Sequence, residues 1–309
     1  PRKFLQILRL VEADGGHHRI DLNVPETRPW DQAIADFCAE AEAAVRAGRG
    51  LVVLSDRGIG PGRLPVHALL ATGAVHHHLI ATGLRTQCNL LVETATARDP
   101  HHFACLIGFG ATAVHPWLAY HCLEAMLSHG EIEDPEARRE LGRNYRRGVR
   151  KGLLKILSKM GIATVASYRG AQLFEIVGLA EEVVERCFPG TPSRLGGMGF
   201  AELREEQRRL AALAFDERVP VPYLGLHRWS AEGERHAFEP AVVAALQRAV
   251  QSDDPEEWRR YADLVNGRAP LALRDLLRPR PAGPPLPLAE VEPATALFPR
   301  FDTAGMSLG

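Results

Sequence analysis

Two rhythms of apolar and polar residues run through this 309-residue chain. Short unbroken apolar runs end in charged or hydroxyl residues, and longer stretches between them repeat apolar positions every three or four residues. The first rhythm is that of strands buried on both faces of a parallel sheet, the second that of amphipathic helices. The plainest run is Gly50-Leu51-Val52-Val53-Leu54-Ser55, closed by the polar turn Asp56-Arg57-Gly58. Further strands are predicted at 19–23, at 89–92 ahead of Glu93-Thr94, and at 112–114 ahead of His115-Pro116. Another is predicted at 162–166, ahead of Ser167-Tyr168-Arg169-Gly170.

Helices are predicted over 32–47 with Asp31 as cap, from Pro65 to near Gly83, and from Asp99-Pro100 through Leu106. Two more run from Pro116 to about His129 and from Asp134-Pro135 to Met160, and one opens near Gln172. The longest keeps Leu141, Tyr145, Val149, Leu153, Ile156, Leu157 and Met160 on one stripe, flanked by arginines and stopped by Gly161. The Gly/Pro-rich stretch 188–199 reads as loop. Past a charged helix at 200–215, prolines 220 and 222 mark a boundary. Amphipathic helices at 240–250 and 255–265, a short one at 271–277 and a proline-rich linker at 278–287 follow.

Strand alternating with helix four or more times predicts a right-handed βα series. No GxGxxG follows a strand, so a dinucleotide-binding fold has no support. The fold class predicted is α/β, with parallel βα units forming an incomplete or modified (β/α)8 barrel-like domain, followed by helical and linker segments. Residues 1–220 are read as the α/β domain and 221–309 as a helical connector.

Charge narrows the function classes. Thirty-seven Lys and Arg stand against 38 Asp and Glu, so no global field points to nucleic acid or an acidic membrane. No apolar run approaches the roughly 20 residues of a membrane span. The five cysteines are scattered outside any ligand spacing, which reads as a reducing, cytoplasmic setting. The start at Pro1 and the close at Gly305-Met306-Ser307-Leu308-Gly309 read as a piece of a longer chain.

Chemistry-bearing residues fall in three groups. His76-His77-His78 lies within a predicted helix, where consecutive side chains diverge by about 100° and do not converge on one metal. The strand-end residues Asp56, Arg57, Glu93, His115, Ser167, Tyr168 and Arg169 gather on one rim of a barrel, where ligands bind. They suit acid–base work or anion binding, although a hydrogen-bonded structural network is the commoner outcome. Lys151, Lys155, Ser158 and Lys159 share a helix surface that suits a phosphate, against the commoner solvated face. Gly190-Thr191-Pro192-Ser193-Arg194 is not followed by GK[ST], and Ser55, Ser167 and Ser193 lack a GxSxG elbow.

Across 151–162 (KGLLKILSKMGI) and 167–175 (SYRGAQLFE), the chain closely resembles the large subunit of glutamate synthases. Matching segments continue through Val53-Leu54-Ser55-Asp56-Arg57, His76-His77-His78, Leu91-Val92-Glu93-Thr94, His101-His102-Phe103-Ala104, Gly190-Thr191-Pro192-Ser193-Arg194, Leu273-Arg274-Asp275-Leu276-Leu277 and Arg300-Phe301. They cover about residues 20–309 in family order. Trp117 departs from the pattern, standing where tyrosine is expected.

The resemblance implies a modular parent. A glutamine amidotransferase domain would release ammonia, a central domain would follow, and an FMN-binding barrel with a 3Fe-4S cluster would make glutamate from 2-oxoglutarate. This chain would be the central domain plus the lead-in to the barrel. It lacks the amidotransferase cysteine and the clustered iron–sulfur cysteines, so no catalytic residue and no metal ligand is assigned. Met306 and Ser307 alone carry over, as flavin-proximal positions.

The expected role is a non-catalytic connector between ammonia release and reductive glutamate synthesis. Its partners would be the flanking domains and a small NADPH-oxidising subunit or ferredoxin. The alternatives are a free-standing barrel-like enzyme or anion-binding protein using the rim, and a self-associating scaffold.

Overall fold

A computed structural model describes residues 4, 6–9, 16–128, 134–216, 218 and 229–300. They divide into two compact units, 1–220 and 221–309.

In the first unit, strands β1 (His17–Asp21), β3 (Leu51–Ser55), β5 (Asn89–Glu93) and β6 (Ala113–His115) form one parallel sheet in that order. Strands β2 (Asn23–Pro25) and β4 (Arg63–Pro65) make a separate antiparallel pair. The crossovers carry α1 (Trp30–Arg46), α2 (Ala68–Ala81) and α3 (Pro100–Gly108). Alternation along the strands then divides the core. Even-numbered Ile20, Val52, Leu54, Leu90 and Val92 pack with the helices, while odd-numbered Leu51, Val53 and Leu91 pack with Phe4 and Leu8 on the other face. The parallel βα alternation is as predicted through β6. Among the described residues its four strands form an open sheet with edges at β1 and β6.

Helix α4 (Trp117–Ser128) follows β6, and α5 (Pro135–Met160) starts at an Asp134 cap and stops at Gly161 with φ 69°. Tyr145, Val149, Leu153, Ile156 and Leu157 of its stripe pack into the core while Met160 is exposed; Gly152 passes over Pro100 of α3, and the Tyr145 hydroxyl donates to the Arg98 carbonyl at 2.9 Å.

Several predicted elements differ. Asp31 lies in the first turn of α1, whose cap position is Pro29. Pro65 closes β4, and α2 begins after His67, whose ring accepts from the Leu69 N–H. The strand expected at 162–166 is absent. Thr164 caps a single turn, α6 (Val165–Tyr168), by accepting from the Ser167 N–H. Val165 is half exposed, whereas Tyr168 is buried against Ala104 and Leu157, so burial favours the turn that places the tyrosine inside.

No helix opens at Gln172. Gly170 and Gln172 both hold positive φ, which breaks a right-handed helix before it nucleates. The chain instead enters β7 (Ile176–Leu179), α7 (Glu181–Cys187) and β8 (Ser193–Met198), and β7 and β8 pair in parallel. Within the stretch expected to be loop, 193–198 is therefore a strand, while 188–192 is turn and irregular as expected. A Cβ on Gly197 would lie 2.2 Å from the Gly178 carbonyl oxygen, so glycine there serves close backbone approach. Helix α8 (Phe200–Ala214) ends the unit's described core.

The second unit is built on α9 (Pro240–Ser252) and α10 (Pro255–Asn266), which pack together around Val242, Ala245 and Ala249. Asp254 caps α10 by accepting from the Glu256 N–H at 2.9 Å. A 3-10 turn at Leu273–Leu276 is tied by Asp275, and 278–287 has no helix or strand. Among the described residues no helix is long and apolar enough to cross a membrane.

Candidate functional site

The odd-numbered face of the sheet turns polar at the strands' C-terminal ends. In register, Asp21, Ser55, Glu93 and His115 stand side by side across all four strands. Glu93 is the centre, with no solvent exposure. It accepts from Arg19 Nη1 at 2.6 Å, the Ser55 hydroxyl at 2.7 Å and Arg57 Nη1 at 3.3 Å. Burial alone would raise its carboxyl. The Ser55 hydrogen bond and the Arg19 charge outweigh that and hold it below the ordinary value.

Beside it, Asp56 is 1% exposed and equally occupied. It accepts from Trp117 Nε1 at 2.6 Å, from the Thr94 hydroxyl at 2.6 Å and from the Ala95 N–H at 2.9 and 3.0 Å. Here burial wins, and the carboxyl is pushed up despite those donors. The two adjacent carboxylates thus shift in opposite directions: burial and the neighbouring Glu93 charge raise Asp56, whereas Arg19 beside Glu93 helps to overcome its burial.

His115 closes the row. Its ring meets Phe4 edge-on at 4.4 Å and Tyr120 at 5.9 Å, and its buried Nδ1 has no hydrogen-bond partner among the described residues. Burial drives the imidazole down to about 4.

The rim as predicted is therefore half assembled. Asp56, Arg57, Glu93 and His115 come together, joined by Arg19, Ser55, Thr94 and Trp117. Ser167, Tyr168 and Arg169 do not join them. Arg169 Nη1 donates to Thr112 Oγ1 at 3.1 Å, at the opposite end of β6, and Tyr168 is core. Arg19 and Trp117 lay outside the sequence-derived set. Arg19 has odd parity on β1 with Ser55 and Glu93, a signal that becomes readable only once strand register is known.

The three consecutive histidines point to separate partners. His76 Nδ1 accepts from Arg85 Nε at 2.8 Å, His77 Nδ1 pairs with the Gly73 carbonyl at 2.8 Å, and His78 Nε2 meets Glu42 at 2.7 Å. Burial, with Arg85, His77 and Arg169 nearby, drives His76 down to about 4. The predicted phosphate surface, Lys151, Lys155, Ser158 and Lys159, is exposed along α5. Met306 and Ser307 lie outside the described residues.

A separate apolar cleft of about 560 Å³ lies between Leu70, Phe109, Phe174, Phe188 and Leu203. His101 and Cys105 line it 3.5 Å apart. Burial and Asp99 push the Cys105 thiol up to about 11, so it is not a thiolate nucleophile at neutral pH.

Two histidines held neutral make stability depend on pH. A folded-state value near 4 against 6.5 unfolded means that the unfolded chain takes up protons first as pH falls. The stabilisation is complete above pH 6.5 and is lost between 6.5 and 4. Each histidine accounts for up to about 3 kcal/mol. Glu93 acts in the same direction and Asp56 opposes it. Urea denaturation at pH 7 and pH 4.5 should show a fall of several kcal/mol, and His115→Phe should remove close to half of that dependence. A flat profile would contradict the assignment.

The family model described as glutamate synthase central domain matches residues 2–180. The chain is 42% identical over 271 residues to the glutamate synthase (NADPH) large chain of Azospirillum brasilense, covering 87% of this chain and 18% of that protein. It is 40% identical over 293 residues to the ferredoxin-dependent glutamate synthase of Pyropia yezoensis, covering 91% and 19%. Against the glutamate synthase (NADPH) large chain of Bacillus subtilis it is 36% identical over 309 residues, covering 99% and 20%. The chain thus spans about a fifth of the length of the curated relatives it matches.

Proposed function

The chain belongs to the glutamate synthase central domain family, and from that premise we propose that it is the non-catalytic connecting part of such an enzyme. It holds an ammonia-releasing amidotransferase domain and a glutamate-forming domain in register, so that glutamine-derived nitrogen reaches 2-oxoglutarate.

One observation carries this reading: the carboxylates best placed for acid–base chemistry are used up. Glu93 and Asp56 are inaccessible to solvent, and each already accepts three or more hydrogen bonds from its own chain. A general base needs a lone pair within reach of substrate. Such a network instead fixes the strand ends as a rigid platform.

The sheet is read as one wall of a modified (β/α)8 barrel, since β1, β3, β5 and β6 are neighbours in chain order and carry their polar row at the C-terminal ends. Identity of 42% to an NADPH-named relative and 40% to a ferredoxin-named one supports a segment common to both forms. A segment shared so evenly does not set the choice between a small NADPH-oxidising subunit and ferredoxin. FMN and a 3Fe-4S cluster belong, on this reading, to the parent enzyme. Met306 and Ser307 are its flavin-proximal positions here, with the remainder of that site supplied by other parts of the longer sequence. The setting is cytoplasmic.

The test is glutamine hydrolysis by the purified 309-residue chain. The expected result is no ammonia above the buffer control. Sustained turnover, abolished by Glu93→Gln, would overturn the proposal.

A further inference from the structure

The Ser167-Tyr168-Arg169-Gly170 turn does not join the rim, and the cluster where it lands has a charge imbalance of its own. Arg85 is half buried and spends its guanidinium on neutral acceptors: His76 Nδ1 at 2.8 Å, the Cys88 carbonyl at 2.7 Å and the Gly110 carbonyl at 2.7 Å. Arg169, close enough to lower the basicity of Arg85, donates to one hydroxyl, that of Thr112. Among the described residues neither guanidinium has a carboxylate within 4 Å, although 16 arginine–carboxylate pairs are formed elsewhere among them.

His76 adds a directed donor. It is 8% exposed, and because Nδ1 accepts from Arg85, its proton sits on Nε2. No described group accepts from Nε2, and the Gly170 backbone passes over it: a Cβ there would lie 3.9 Å away. That turn is itself fixed, since the Gly170 N–H donates to the Gly108 carbonyl at 2.8 Å. Arg169 thus sits on an anchored turn beside an unanswered imidazole N–H, with four of its five N–H donors outside the Thr112 contact.

We propose that Arg169, the His76 Nε2–H and the charge of Arg85 form an oxyanion site, which takes a phosphate or a carboxylate at the N-terminal end of β6. Two neighbouring cations with no anion are unfavourable in a partly desolvated setting. A planar fork beside a fixed N–H matches two oxygens of such a group. The site is distinct from the exposed lysine face of α5, whose side chains stand in solvent. It does not depend on the connecting role proposed above.

The experiment is calorimetric titration of the 309-residue chain with sodium phosphate and, separately, sodium acetate, with ionic strength held constant by NaCl. Saturable binding of either anion is expected, weakened at least tenfold by Arg169→Gln, partly retained by Arg169→Lys and unchanged by Lys155→Gln. Preference for phosphate or for acetate identifies the source of the oxyanion. Circular dichroism confirms that each variant is folded, with the lysine variant as the gentler change. Absence of saturable binding of both anions, or equal weakening by Lys155→Gln and Arg169→Gln, would overturn the proposal.

Discussion

Replacing Asp56 by alanine is expected to remove about 4 kcal/mol of stability, the largest loss from any single rim residue. The reason is the number of donors that it satisfies. Trp117 Nε1–H, the Ala95 N–H and the Thr94 hydroxyl all point at one carboxylate that is 1% exposed. Alanine leaves them facing apolar core without water, and each such group costs on the order of 1–3 kcal/mol. Asp56→Asn keeps an oxygen acceptor and should cost roughly half as much. Burial already raises the Asp56 carboxyl, so loss of its charge is partly compensated. With about 2–4 °C per kcal/mol for a unit of this size, the alanine variant should melt about 10 °C lower. An unfolding free energy from urea denaturation within about 1 kcal/mol of the parent would show that the network does not hold the strand ends.

The second large effect reverses the usual sign of a helix substitution. Gly73 lies inside α2, where Gly→Ala ordinarily stabilises by about 1 kcal/mol. Here a Cβ would sit 2.2 Å from the Cys187 carbonyl oxygen and 2.9 Å from the Phe188 ring. The obstacle at Cys187 is backbone, at the end of α7, and cannot swing aside as a side chain can. Gly73→Ala should therefore destabilise by about 3 kcal/mol or more through separation of α2 from α7. Denaturant unfolding measures it, and a stabilised Gly73→Ala would refute the packing described for these helices.

How much of this was legible in the sequence depends on which interaction fixes each element. Strands β3 and β5 and helix α5 were readable because local pattern and burial agree: unbroken apolar runs, an Asp-Pro start, a glycine stop. The segment 162–175 misled for a physical reason. Ile162, Thr164 and Val165 favour a strand locally, but among the described residues no strand pairs with them, and Tyr168 gains more by entering the core. In the glycines of 193–198, one composition serves either a loop or a close strand pair, and only the partner decides. Asp56, Glu93 and His115 were found from strand ends alone. Arg19 and Trp117 needed register and a crossover, which are long-range facts. The role of the rim was less legible still. Spacing brings a carboxylate, an arginine and an imidazole together, whereas the occupancy of their lone pairs is visible only in the folded chain.

On the proposed role, this chain of the glutamate synthase central domain family positions chemistry without hosting it. Flavin content tests that most directly. The 309-residue chain, incubated with FMN and then dialysed against flavin-free buffer, is predicted to be colourless and to show no saturable flavin absorbance. A yellow protein retaining FMN near one equivalent after dialysis would contradict the account.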